Sequence, residues 1–177
     1  MADEREGRIL VKLLAIGYFA NFSFGILGSF FPAESFWQMT CWQIGDSMAI
    51  MASVLASRQV GARGQNLAAA GFTMLAIAYG VSFASSSLDA VNEEKMATVL
   101  LPLVPAIFLI SFCRLFPAWL RYISWLVFIP FFFMYLNVIN GTYRNDNLAN
   151  ALAYTGIQSL GVFWAVFIWK DFNKPKA

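Results

Sequence analysis

The side chain most able to do chemistry is Asp46, in the middle of the segment 36–57, FWQMTCWQIGDSMAIMASVLAS. That segment is long enough to cross a bilayer. A carboxylate at the centre of a membrane helix costs about 2.5–3.5 kcal/mol on insertion scales. No lysine or arginine falls in the core of any apolar segment of this chain. Three states are therefore open to Asp46: protonated by desolvation, holding a cation, or paired by a partner subunit. The first two suit an ion- or proton-coupled transporter. The competing role is a neutral acid that hydrogen-bonds Gln43 or Asn21 and only holds helices together.

At about 3.6 residues per turn, Ser35, Met39, Gln43, Asp46, Ala49, Ser53 and Ser57 share one face of this helix. Trp37, Cys41, Ile44, Met48, Met51 and Leu55 share the other. The small, polar face is expected to meet other helices or a cavity, and the bulky one to meet lipid. Three further stripes match it. Gly17, Asn21, Gly25 and Gly28 line the first apolar segment, Ala69, Thr73, Ala76, Gly80 and Ala84 the third, and Tyr154, Gln158, Gly161 and Ala165 the sixth. Small residues at this spacing let helix backbones approach closely. A short turn joins the first two segments, so Asn21 is expected near Asp46. Pro105 and Pro130 fall at a similar depth, and each removes a backbone donor and frees a carbonyl. Asn21, Asp46, Pro105, Pro130 and Gln158 would then share the mid-membrane level where transporters bind substrate and ions. The expected substrate or ion path is Asp46, Asn21, Gln43 and Gln158.

The elements that must position these residues are apolar helices. The chain has 177 residues, 59% of them hydrophobic and only 12% charged. A water-soluble domain of this size would expose far too much apolar surface. Spans are expected at about 9–31, 36–57, 66–86, 96–112, 118–140 and 148–169, which makes an all-α integral membrane protein, a single six-helix transmembrane domain over 1–177. An even number of spans puts both termini on one side. That side collects every lysine and arginine except Lys95 and Arg144, while Glu34, Asp89, Glu93, Glu94 and Asp146 lie on the other. The positive-inside rule then makes both termini cytoplasmic, in a cell (inner or plasma) membrane. Trp119, Tyr122, Trp125 and Trp169 fall near the inner boundary and Phe36, Trp37 and Tyr143 near the outer one, as aromatic belts do.

Several chemistries are absent from the sequence. Histidine is missing, which removes His-based catalysis, His metal ligands and His pH sensing. There is no P-loop, G-x-S-x-G, HExxH or CxxC. No enzyme activity, catalytic residue, metal site or cofactor is expected. Cys41 and Cys113 lie on different helices at different depths, too far apart to bridge. Asp89, Asn92, Glu93 and Glu94 could bind a divalent cation, but read better as an Asn92 cap with acids complementing the N-terminus of the fourth helix. A net charge of +2 gives no reason to invoke nucleic acid. The expected partners are the lipid bilayer, further copies of the chain, or the subunits of a membrane complex. The expected function is a small-solute or ion transporter or channel with a mid-membrane acidic site, coupled to protons. The alternative is a non-catalytic accessory or assembly subunit, which short loops and aromatic-rich helices fit equally well.

Overall fold

A computed structural model describes residues 2–32, 35–86, 93–144 and 148–174. Within these the chain is all-helical: α1 (Ala2–Gly28), α2 (Phe36–Gly61), α3 (Asn66–Ser86), α4 (Glu93–Ser111), α5 (Ala118–Ile139) and α6 (Leu148–Phe172). Four of them, α1, α3, α5 and α6, carry stretches long and apolar enough to cross a membrane. α2 has the length, at 26 residues, but its glutamines, serines and Asp46 dilute its hydropathy. The apolar part of α4 is the shorter stretch Lys95–Ser111.

Local chemistry sets the helix ends. α1 stops at Gly28, short of the expected Phe31, in a tight turn whose Ser29, Phe30 and Phe31 amides reach back to the carbonyls of Ile26, Leu27 and Gly28. Ser35 caps α2, its Oγ accepting from the Gln38 amide at 3.3 Å. α2 and α5 end alike. Gly64 and Gly141 take positive φ, +74° and +64°, a conformation open to glycine at little steric cost. The amide of the next residue then closes the helix: Gln65 N–H bonds Val60 O at 3.1 Å, and Thr142 N–H bonds Asn137 O at 2.8 Å. Pro117 stops the turn after α4 and leads into α5 with extended backbone (ψ 154°). Pro102 and Pro105 in α4 and Pro130 in α5 sit inside helices that continue through them. Asp89 and Asn92, and the side chains of Glu93 and Glu94, lie outside the described residues, as do Glu34 and Asp146.

Each helix packs on the next in sequence, and α6 returns to pack on α1. The six thus form a closed ring. Glycines mark the closest approaches. A Cβ on Gly17 would stand 2.8 Å from both Ala52 Cβ and the Met48 carbonyl, and one on Gly71 would stand 2.9 Å from the Ala106 carbonyl. A Cβ on Gly25 would run into the Gln158 amide of α6. The Gly17–Gly28 stripe therefore serves two neighbours, α2 and α6. The ring is filled by side chains: Trp164, fully buried, meets Tyr18 and Phe72 edge-on at centroid distances of 6.2 and 5.3 Å. Ion pairs tie one end of the ring together, Arg58 to Glu6 at 3.3 Å and Arg63 to Asp171 at 3.1 Å. The start of α1 and the end of α6 therefore lie at the same end.

Two expected faces need correction. Cys41 is buried against Gly28, not turned to lipid. α2 is flanked by both α1 and α3, so its buried arc is wider than one polar stripe. The seam with α1 selects the small residues Cys41, Gly45, Ala49, Ala52 and Ala56. In α3, Thr73 and Ala84 of the expected stripe are exposed. The helix instead buries Ala68, Gly71, Phe72, Leu75, Ala76 and Ala78, because it must meet α4 as well as α2.

Candidate functional site

Asp46 is half-buried on the side of α2 that meets α3. The Ser82 hydroxyl of α3 hydrogen-bonds its carboxyl group. The Tyr79 ring, about one turn before Ser82, lies within electrostatic reach of Asp46, Tyr18 and Tyr154. Tyr154, from α6, also interacts with Asp46 and donates its hydroxyl to Met96 Sδ of α4 at 3.1 Å. Hydroxyl and carboxyl groups from α1, α2, α3 and α6 therefore lie within electrostatic range of one another. A second pair lies further along α2, where the Tyr18 and Ser53 hydroxyls meet at 3.0 Å in a fully buried setting. All these groups can pass or hold a proton, and the electrostatic neighbours of Asp46 here are hydroxyls, not cations.

The remaining expected site residues divide. Asn21 is buried, 2% exposed, and stands against Gly45, whose Cβ would be 3.4 Å from Asn21 Nδ2. Its neighbour is thus the residue just before Asp46, while Asp46 turns to α3. Asn21 Oδ1 is buried and accepts no hydrogen bond from any described residue. Gln43 is half-buried one turn before Asp46, and its main-chain carbonyl accepts the Ser47 hydroxyl at 2.9 Å. Gln158 is held in the α1–α6 seam over Gly25. Tyr79, Ser82 and Tyr18 form no part of the path expected from sequence. Their only signal there is that tyrosine and serine hydroxyls are among the few polar atoms inside apolar segments.

The polar group and the aromatic cluster occupy different depths. Tyr154 and Ser82 belong to the ends of α6 and α3 far from the ion-paired end, and Trp164, Phe72 and Phe116 lie towards it. Going towards the basic end, the interior changes from hydroxyls and a carboxyl to closely packed rings. Among the described residues no group of three or more acidic or cysteine side chains is placed to hold a metal ion.

No protein-family model matches this chain, and neither a curated protein nor a solved structure is similar to it.

Proposed function

We propose that the chain crosses the membrane six times with both termini in the cytoplasm, and that it conducts or transports a small solute or ion by way of Asp46. The two additional spans are α2 and α4. Each is packed between helices long and apolar enough to cross. At about 1.5 Å per residue, the 26 residues of α2 and the 19 of α4 extend about 39 and 28 Å. Both suit a hydrocarbon core of about 30 Å. The basic residues at the ion-paired end make that end cytoplasmic.

The observation that carries the transport reading is the setting of Asp46. Its carboxyl has the Ser82 hydroxyl beside it and the Tyr79 and Tyr154 hydroxyls within electrostatic range, with no cation among its described electrostatic neighbours. A carboxyl placed so can take up and give back a proton, or a small cation, without breaking an ion pair. Asn21, with its unpartnered carbonyl oxygen, Gln43 and Gln158 are the amides along the same route. The Trp164–Phe72–Tyr18 cluster is the barrier between that route and the cytoplasm. No step requires bond chemistry, so the protein acts without catalysis. Proton flux into liposomes driven by a pH gradient tests the reading: Asp46→Asn is expected to abolish it. Unchanged flux would remove Asp46 from the path.

A second reading has its own support. Phe112, Phe108, Trp125, Phe128 and Phe132 make a continuous run of ring contacts along α4 and α5, and most of these rings are exposed. Such a face suits packing against other membrane subunits. Stable co-purification with such subunits in mild detergent, together with no flux from the isolated protein, would favour an accessory role.

A further inference from the structure

At the basic end of the ring a cavity of about 450 Å³ opens between the start of α3 and the turn joining α4 to α5. Its lining holds two guanidinium side chains, Arg114 and Arg121, and no acidic side chain. Arg121 Nε is buried and has no hydrogen-bond partner among the described residues. A buried donor left unpaired costs about 1–3 kcal/mol, and more when it carries charge. Two other arginines of this end contrast with it: Arg58 and Arg63 are both ion-paired.

The third wall is the first turn of α3, where Asn66, Leu67 and Ala68 line the cavity. First-turn amides have no acceptor within their own helix. Gln65, just before them, is not free to cap, because its Oε1 accepts the Arg114 amide at 3.0 Å. The positive end of the α3 dipole and the two arginine side chains thus border one space. The rim is apolar, with Leu67 and Phe112 both largely exposed beside it.

We propose that this cavity binds a phosphate group, carried by an anionic lipid headgroup or by a free phosphate. The Arg114 and Arg121 guanidiniums supply the charge-assisted donors, with the α3 amides completing the shell. The lipid source rests on the membrane reading above and not on transport. Leu67 and Phe112 would then lie along the acyl chains.

The test uses the whole purified protein. Native mass spectrometry from mixed micelles would compare retention of phosphatidylglycerol and of uncharged diacylglycerol, and a thermal-shift series would add inorganic phosphate. Wild type is expected to retain phosphatidylglycerol, and the R114Q/R121Q double variant to lose it by roughly tenfold or more. Arg58→Gln removes one positive charge from the same end, outside the cavity, and is expected to change nothing. Stabilisation by inorganic phosphate without retention of phosphatidylglycerol would assign the free anion as the source. Equal retention by wild type and double variant, with no phosphate effect, would overturn the proposal. If the double variant does not fold, phenylglyoxal modification of wild type decides: bound lipid or phosphate must protect Arg114 and Arg121 but not Arg58, and equal modification overturns the site. Asp46→Asn must leave all these readouts unchanged, so a failed transport reading and a failed phosphate site remain distinguishable.

Discussion

The hydroxyls of Tyr18 and Ser53 stand 3.0 Å apart across the seam of α1 and α2, shut off from solvent. Hydrogen bonds between membrane helices contribute about 0.6 kcal/mol on average by double-mutant cycles. The full burial of this pair argues for the upper part of the range. A cycle of Tyr18→Phe, Ser53→Ala and the double variant, read by unfolding in mixed micelles, should give a coupling of about 0.5–1.5 kcal/mol. Coupling within error of zero would mean that the two hydroxyls find other partners.

The glycines make opposed predictions. Gly17→Ala puts a methyl 2.8 Å from Ala52 Cβ and from a main-chain carbonyl, so α1 and α2 must separate. The cost should be about 1–3 kcal/mol, as for other overpacked sites. Gly80 is helical too, but a Cβ there meets nothing within 4 Å. Gly80→Ala should be neutral or stabilise by about 0.4–1 kcal/mol, through the unfolded state. The same unfolding assay ranks them, and the reverse order would contradict the helix seam described above.

Trp164 joins α6 to Tyr18 and Phe72 with no exposed surface. Truncation to alanine would cost about 3–5 kcal/mol, so leucine is the cleaner probe of function. Trp164→Leu should make proteoliposomes leakier to protons than wild type, and Trp164→Phe should not. Equal leak for all three would show that the rings do not form the barrier.

Cys113, fully buried in the turn between α4 and α5, should resist alkylation. Burial pushes its thiol above the ordinary value of 9.0, and the reactive species is the thiolate. N-ethylmaleimide at neutral pH should label it only after denaturation. The folded state holds this proton more tightly than the unfolded chain does. The stability linked to the thiol is therefore intact below about pH 9 and falls as the pH rises above it. Cys113→Ser or Cys113→Ala should flatten that decline in a pH series of melting curves.

Much of the scaffold was legible in the residues alone. Apolar run lengths located six helices. The Gly17–Gly28 stripe is buried as its spacing implies. The partners of Asp46 were not legible. A helical wheel ranks faces by polarity, but Asp46 was drawn to Ser82 by the place of α3 beside α2, a fact of topology. Cys41 was misread for the same reason, since two flanking helices bury an arc that no single stripe defines. Arg114 and Arg121 read as topology markers, because only the fold brings the first turn of α3 beside them.

The ring closes through α6, and that has a bearing on how the protein is made. α1 carries at Gly25 the seat for Gln158, yet Gln158 belongs to α6, which is made after α2 to α5. Until α6 is made, the α6-facing side of α1 stands bare while α2 to α5 are synthesised in turn. A newborn chain thus carries a vacant docking strip until α6 arrives, and that strip is where a membrane chaperone, or a neighbouring nascent copy, would find it.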